Sequence, residues 1–270
     1  MVSFPPCKIN LGLNVVRKRP DGFHDIATCF YPVPWTDVLE IVPAKDFSFS
    51  SSGIPVPGAS ADNLCVRAYE LLRKDFALKP VSIHLMKSIP TGAGLGGGSS
   101  DGAYALKILN NIFGLSLSGD RLREYAARLG SDCAFFIDAK PAVGHGRGEL
   151  LSPLDLSLKG KFLVIVKPLV TISTAEAFAG ITPNDPMIDP GTVLAKHPVA
   201  EWKDLLVNDF ETPIFKRFPV ISALKQKLYA FGASYASMSG SGSAVFGIFD
   251  SETDLKKEFE SVLYWSGRLE

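Results

Sequence analysis

The sequence has few cysteines, and they do not stand in the patterns that bind zinc or form a disulfide framework. Its 270 residues contain four, Cys7, Cys29, Cys65 and Cys133, scattered along the chain without a C-x-x-C pair. Small secreted proteins held by disulfides are dense in cysteine, and structural zinc sites need closely spaced ligands. We therefore exclude both classes and expect reduced thiols with a structural role.

The sequence also lacks net charge and long hydrophobic runs. Lys plus Arg equals Asp plus Glu at 28 each, so no net field attracts nucleic acid or an anionic membrane. The longest apolar runs, 162–166 and 244–249, are far shorter than the roughly 20 residues needed to cross a bilayer. Lys8, Asn10 and Asn14 interrupt any signal-peptide core near the start. We expect a cytoplasmic protein with neither a nucleic-acid nor a membrane partner.

Hydrophobic residues are abundant, at 46% of the chain, which is enough to build the cores of two lobes. The segment KINLGLNVV, residues 8–16, alternates apolar with polar residues, the pattern of a strand with one buried face. Lys8 and Asn10 then share the polar face. A lysine in such a position ordinarily faces water.

Several further elements are predicted from periodicity and capping residues. Strands are expected at 25–33, 37–42 and 81–87, with Asp62 as the cap of a helix before the last of them. Two helices follow residue 100, and Ser118 opens the second. The later half is predicted to contain strands at 162–166, 235–238 and 244–249, helices near 202–206 and 221–231, and a closing helix. Strands followed by helices favour an α+β fold over repeating βαβ units.

A glycine-rich segment, IPTGAGLGGGSSDGA at residues 89–103, lies between a predicted strand and a predicted helix. Gly92, Gly94 and Gly97 match the G-x-G-x-x-G of a dinucleotide-binding fold. A second helix follows where that fold needs a strand, however, and Pro90 precedes the glycines. The Walker A loop needs Gly-Lys-Ser/Thr at its end, and the segment contains no lysine. Neither common nucleotide loop therefore fits.

The segment nevertheless has the features of an anion site. Glycines allow backbone N–H groups to converge, Ser99 and Ser100 add hydroxyl donors, and the following helix directs its positive end to the same place. We interpret the segment as a triphosphate-binding loop. The alternative is a flexible linker, which does not usually join a strand to an amphipathic helix.

Three segments together resemble the motifs of the GHMP kinases. PTGAGLGGGSSDGA resembles the family's phosphate loop, residues 8–11 resemble its first motif, and SMSGSGSAVFGIF at 237–249 resembles its third. The resemblance covers nearly the whole chain. It implies a two-lobed α+β fold, with a ribosomal protein S5 domain 2-like, ATP-binding N-terminal lobe over 1–155 and a ferredoxin-like C-terminal lobe over 156–270.

Within the family, KINLGLNVVRKRPDGFHDIATCF, LGGGSSD and LGSDCAFFI resemble the branch that acts on a cytidine-diphosphate-linked methylerythritol in the non-mevalonate isoprenoid pathway. The resemblance implies small-molecule substrates, ATP as phosphoryl donor, and Mg²⁺ held mainly by phosphates and water. It names no protein ligand for the metal. Two alternatives stay open: another small-molecule kinase of the family, of the mevalonate or homoserine type, and a non-catalytic ATP-binding protein.

The resemblance also implies roles for individual residues. Asp132 would accept or orient the proton of the substrate hydroxyl, and Lys8 would keep that carboxylate ionised and approach the transferred phosphoryl group. The ATP-binding residues implied are Pro90, Gly92, Gly94, Leu95, Gly96, Gly97, Gly98, Ser99 and Ser100. We also expect the hydroxyl of Ser100 to lie near the metal. The substrate-binding residues implied are Asn10, Phe23, His24, Phe178, Ser239, Gly240, Ser241 and Gly242. A structural hydrogen bond remains an alternative for Asn10, and an ordinary core position for Phe178.

Overall fold

The computed structural model of the protein describes residues 1–184 and 188–270. Within them the backbone forms two compact units. The first unit comprises Met1–Lys8, Trp35–Thr91 and Gly96–Lys140. The second unit comprises Ile9–Pro34, Gly92–Leu95 and Pro141–Glu270. Each unit is therefore built from separate stretches of sequence, and the glycine-rich segment contributes to both.

Strands and helices occur throughout the chain, and the strands pair mainly antiparallel, so the predicted α+β class is confirmed. The strands are β1 (Val2–Ser3), β2 (Pro6–Lys18), β3 (His24–Thr36), β4 (Val38–Pro43), β5 (Ser48–Gly53), β6 (Val81–Lys87), β7 (Ala142–His145), β8 (Leu150–Pro153), β9 (Phe162–Lys167), β10 (Tyr235–Met238), β11 (Val245–Phe249) and β12 (Leu263–Arg268). The α-helices are α1 (Leu64–Asp75), α2 (Gly97–Ile112), α3 (Gly119–Leu129), α4 (Phe135–Asp138), α5 (Thr174–Ala179), α6 (Pro190–Lys196), α7 (Trp202–Leu205), α8 (Glu211–Arg217) and α9 (Pro219–Ala230).

The first unit contains a four-stranded sheet in the order β1-β4-β6-β5. β6 pairs antiparallel with β4 and parallel with β5. Val81, Ile83 and Leu85 alternate along β6 and are fully buried, so one face of this sheet carries the core. Helices α1, α2 and α3 pack against one another, and α2 also contacts β4. The glycine-rich segment thus leads from the end of β6 into a helix that is fixed on several sides.

The N-terminal capping residues of two helices in this unit were predicted from the sequence, and one of the two predictions is confirmed. Ser118 caps α3 as predicted, because its hydroxyl accepts a hydrogen bond from Arg121 N at 3.3 Å. The prediction that Asp62 caps α1 is wrong. The cap is Asn63, whose side chain accepts from Cys65 N at 2.9 Å, while Asp62 ends a short 3₁₀ turn. Asp and Asn cap helices equally well, so the sequence alone does not distinguish these neighbours.

The second unit contains two four-stranded sheets, β2-β3-β7-β8 and β10-β11-β9-β12. In the latter, β9 pairs antiparallel with both β11 and β12, and all six of its residues are buried. Val164 and Val166 pack in a core cluster with Leu224 and Leu228 of α9. This apolar cluster supports the loop between β10 and β11, where the third glycine motif lies.

β2 is buried more completely than its alternating sequence predicts. Residues 7–13 are all buried, so the strand is covered on both faces rather than one. Lys8 and Asn10 are each only 2% exposed, so the prediction that only one face of this strand is buried is wrong. A lysine held this far from water must be compensated by a nearby anion.

The predicted closing helix is also wrong. Lys256–Phe259 forms only a 3₁₀ turn, and Leu263–Arg268 forms β12 on the edge of β9. Because β9 is buried throughout, its backbone N–H and C=O groups need partners on both sides, and β12 supplies the second set. Among the residues that the structure describes, no helix is long and apolar enough to cross a membrane.

Candidate active site

Lys8 and Asp132, predicted from the sequence as partners, form an ion pair in the first unit. Lys8 Nζ lies 3.4 Å from Asp132 Oδ2, and the two side chains are 3% and 32% exposed. The buried cation therefore stands against a carboxylate that solvent can reach. This arrangement leaves the carboxylate open to a hydroxyl group of a bound molecule.

The chain places Asp132 by ending one helix and starting another within a few residues. Helix α3 ends before Gly130, a 3₁₀ turn spans Ser131–Cys133, and α4 follows. Phe135 and Phe136 of α4 are buried and anchor the turn in the core. Because the phenyl groups take the buried positions, the carboxylate of Asp132 lies on the more exposed side of the turn.

Gly96 brings the glycine-rich segment close to this ion pair. It is the residue before α2 and has a left-handed backbone, with φ 70°. A Cβ at this position would lie 3.0 Å from the ring of Phe136 and 3.1 Å from Lys8 Cε. Both the backbone angle and the close approach require glycine. The phosphate-loop candidate and the catalytic pair predicted from the sequence therefore meet at Gly96.

The first turn of α2 carries the features of an anion site. Its 16 residues direct the positive end of the helix dipole at residues 97–100. Gly98 is exposed, and a Cβ on it would meet no atom within 4 Å. Ser100 is buried, yet its Oγ has no hydrogen-bond partner among the described residues. Buried hydroxyls are nearly always satisfied, so this oxygen is free to bind a ligand or a water molecule.

Three buried charged residues next to the glycine-rich segment, Lys87, Asp37 and Asp101, form a network that was not predicted from the sequence. Lys87, the last residue of β6, forms ion pairs with Asp37 and with Asp101, the latter at 2.8 Å, and all three side chains are at most 3% exposed. Asp37 Oδ1 also accepts hydrogen bonds from the backbone N–H groups of Ser88 and Ile89, at 2.6 and 2.9 Å. Burial raises the pKa of Asp101 to about 7. Lys87 thus links the end of β6, which precedes the glycines, to helix α2, which follows them.

Replacing Lys87 with methionine is expected to lower the free energy of unfolding by about 3–5 kcal/mol, because two buried carboxylates lose their cation. Urea denaturation followed by circular dichroism measures this loss. Lys74→Met, at an exposed position of α1, is the control and should change stability by less than about 0.5 kcal/mol. A Lys87→Met protein as stable as the control would show that the network does not hold the loop.

In the second unit, the third glycine motif packs directly on residues 93–94. Ser239 Oγ donates a hydrogen bond to Gly94 O at 2.9 Å, and Ala244 N donates to Ala93 O at 3.1 Å. A Cβ on Gly94 would lie 1.9 Å from Ser239 O. No side chain can therefore replace the hydrogen of Gly94 without separating these two segments.

Asn10 is fixed in the same unit and faces this motif. Its Nδ2 donates to Thr28 Oγ1 at 2.9 Å, and a Cβ on Gly240 would lie 3.3 Å from Asn10 Oδ1. Asn208, which the sequence analysis missed, donates to the carbonyl groups of Met238 and Gly240 at 2.8 and 2.9 Å. Asn10 therefore has the structural hydrogen bond foreseen as its alternative role, and Asn208 holds the motif in place.

The three residues predicted to contact a base are arranged differently from a simple two-ring clamp. The rings of His24 and Phe178 stack on each other, with centroids 4.7 Å apart and an interplanar angle of 14°. Phe178 also meets the edge of the Phe210 ring at 4.8 Å, so it is partly a core residue. The ring of Phe23 is the accessible one, with 54% of the residue exposed. No base can enter between His24 and Phe178 as they stand.

A lysine paired with a carboxylate, next to a glycine-rich helix start, supplies a cation, a proton acceptor and an anion site, which are the groups that phosphoryl transfer to a hydroxyl uses. Family models agree with this chemistry. The model for the GHMP kinases N terminal domain matches residues 63–140, and that for the GHMP kinases C terminal matches residues 193–264. The chain belongs to the GHMP kinase family, and the two-lobed fold predicted from the sequence is confirmed.

The chain is also similar to individual members of the family. The chain is 51% identical to 4-diphosphocytidyl-2-C-methyl-D-erythritol kinase of Bacteroides thetaiotaomicron, with 100% of both chains covered. A crystal structure of 4-(cytidine 5'-diphospho)-2C-methyl-D-erythritol kinase is similar with a TM-score of 0.83 and 31% identity, covering 100% of this chain and 99% of that one. The mevalonate kinase of Methanococcus jannaschii reaches a TM-score of 0.74 at 15% identity, covering 100% of this chain and 98% of that one. That last likeness concerns the fold alone.

Proposed function

We propose that this protein uses ATP to phosphorylate the 2-hydroxyl group of 4-diphosphocytidyl-2-C-methyl-D-erythritol, giving the 2-phosphate and ADP in the non-mevalonate isoprenoid pathway. The observation that carries the proposal is the ion pair of Lys8 and Asp132 at 3.4 Å, with Gly96 so close that an added Cβ would lie 3.1 Å from Lys8 Cε and 3.0 Å from the phenyl ring of Phe136. The 51% identity to an enzyme of that name supports the choice of substrate.

The chemical step assigns one role to each member of the pair. The substrate hydroxyl gives its proton to Asp132 while its oxygen forms a bond to the γ-phosphorus of ATP, and the bond from that phosphorus to the β-phosphate oxygen breaks to release ADP. Lys8 pairs with Asp132 before the transfer and neutralises part of the negative charge on the phosphoryl group. Because Lys8 is buried, water is kept away from the cation, and its electrostatic interactions with Asp132 and with the phosphoryl group are stronger.

The ATP phosphates are proposed to bind along residues 90–100. The supporting features are the positive end of α2, the exposed Gly98 and the serine hydroxyls that follow it. Backbone N–H groups then hold the phosphates without any lysine in the loop. Glycine is required at Gly94 and Gly96 by close contacts, so the loop keeps its shape with little conformational freedom.

Mg²⁺ fits this site only as a metal held mainly by phosphates and water. No group of three or more His, Cys, Asp or Glu side chains within 1–184 and 188–270 is arranged to hold a metal ion. The Oγ of Ser100, buried and without a partner among the described residues, is a suitable oxygen ligand. When bound, the metal would neutralise charge on the transferred phosphate.

The remaining site residues are proposed to bind the cytidyl substrate. Phe23 offers an exposed ring for stacking, and His24 and Phe178 supply the second aromatic group and a hydrogen-bonding edge. Asn10 and residues 239–242 are proposed to contact the rest of the molecule. We further propose lobe limits of 1–155 and 156–270. A cytoplasmic location is supported by the four cysteines, all buried free thiols.

A coupled assay of ADP release tests the substrate. We expect release with the cytidyl substrate and none with mevalonate, homoserine or no acceptor. Release with mevalonate or homoserine alone would assign the chain to another kinase of the family. ATP binding without release for any acceptor would favour the non-catalytic alternative.

A further inference from the structure

An arginine outside the predicted site lies against the exposed aromatic residue of that site. The guanidinium carbon of Arg147 is 5.0 Å from the centroid of the Phe23 ring. Arg147 belongs to the turn between β7 and β8, and Phe23 to the turn between β2 and β3. This distance is that of a cation–π contact, which covers one face of the ring.

Both turns are held by hydrogen bonds that fix the pair. Glu149 Oε2 accepts from the backbone N–H of Arg147 at 2.6 Å, and its Oε1 accepts from Arg147 Nε at 3.4 Å. On the other side, Phe23 N donates to Asp21 Oδ1 at 3.1 Å, and Phe23 O accepts from Arg19 N at 2.8 Å. The guanidinium group is therefore oriented before any ligand binds.

The charge of Arg147 is already balanced by its neighbours. Glu149 binds its Nε, and the charge of Arg147 also acts on the carboxylate of Asp21. The hydrogen bonds from Arg19, and to a smaller extent the charge of Arg147, hold the pKa of Asp21 below its usual value, so that carboxylate stays ionised. An electrically balanced group suits contact with a neutral aromatic system better than capture of a free anion.

We propose that Arg147 is a positioning residue for substrate recognition: it braces the exposed ring of Phe23 so that a neutral pyrimidine base stacks on the ring's other face. The inference rests on the proposed function, since it deepens the recognition of the cytidyl group. Without the brace, a half-exposed phenyl group at a turn samples several rotamers, and each binding event must order it again. Arg147 removes that cost before the base arrives.

The test is a double-mutant cycle of Arg147→Leu and Phe23→Ala. Arg147→Leu is expected to raise the KM for the cytidyl substrate about three- to tenfold, the size of a cation–π contact, with the change in KM rather than kcat and none in the KM for ATP. Free cytidine as a competitive inhibitor should weaken equally. In the Phe23→Ala background, Arg147→Leu should have no further effect.

Arg73→Leu is the matched control, because its guanidinium lies 5.7 Å from the Tyr69 ring centroid and pairs with Glu70 on α1. It should leave every constant at its wild-type value. If Arg147→Leu raises the KM for the cytidyl diphosphate substrate but does not weaken inhibition by cytidine, the proposal is overturned in favour of a phosphate contact. The proposal is also overturned if Arg147→Leu raises the KM for the cytidyl substrate by the same factor in the wild-type and Phe23→Ala backgrounds. A wild-type protein that neither binds nor phosphorylates the cytidyl compound refutes the proposed function, whereas an active wild type matched by Arg147→Leu refutes only the brace.

Discussion

Asp132→Asn is expected to lower kcat by about 10²-fold or more while the KM values for ATP and the cytidyl substrate change little. Asparagine keeps the size of the side chain and its position near Lys8 but cannot accept the hydroxyl proton. Since the carboxylate is one-third exposed and only 3.4 Å from Lys8 Nζ, the substitution removes a charge without opening a cavity. Steady-state kinetics with both substrates varied measures the effect.

Two further variants accompany this test, one of the lysine in the pair and one as a control. Lys8→Met should reduce kcat to a similar degree, because the transferred group loses its cationic partner. Asp138→Asn is the control: this residue lies in α4, close in sequence, but it is 52% exposed and pairs with Arg123. It should retain the wild-type kcat. An Asp132→Asn enzyme that also keeps most of its kcat would make Asp132 a structural residue.

Local sequence patterns predicted which residues of the first unit lie together better than they predicted burial. The pairing of Lys8 with Asp132 followed from motifs that resemble those of the family, and the structure has the two side chains 3.4 Å apart. The alternation in 8–16 failed to show that β2 is covered on both faces. A strand's second face is buried by elements distant in sequence, and periodicity within the strand does not report them.

The misplaced elements have the same origin. β12 forms because β9 offers an open edge, and nothing within residues 263–268 themselves requires a strand. The serine-rich β5 was missed because serine is a weak strand former, yet the chain pairs it parallel with β6. Tertiary pairing decided both cases, so no rule applied to the segment alone could find them.

Residues that hold the candidate site together were harder to find than the residues proposed to react. Lys87, Asp37 and Asp101 are separated by up to 64 positions (37 to 101), and only the fold brings them together. Arg147 and Asn208 likewise act on distant segments. A lysine at the end of the strand before the glycines and an aspartate directly after the serines were the available signals, and neither indicates its partner.

The second large effect is expected at Gly98. Gly98→Val should weaken ATP binding about tenfold or more, measured by calorimetry, because the new side chain fills the open space beside the first turn of α2 where phosphates must approach the backbone. The fold should survive, since Gly98 is exposed, its Cβ would meet nothing within 4 Å, and its φ is not positive. Gly119→Val, in the first turn of α3 with only ordinary contacts to Arg123, should leave ATP binding unchanged.

Gly96→Val offers an instructive contrast with Gly98→Val. Gly96 has φ +70°, and its Cβ would press on Phe136 and on Lys8, so valine there strains the backbone and displaces Lys8 together with the loop. We expect it to lower stability and kcat as well as ATP affinity. Gly98→Val should lower ATP affinity alone, because only the phosphate approach is obstructed. If the folded Gly98→Val protein binds ATP as tightly as the wild type, the phosphates do not lie against the first turn of α2, and the loop's role must be assigned elsewhere.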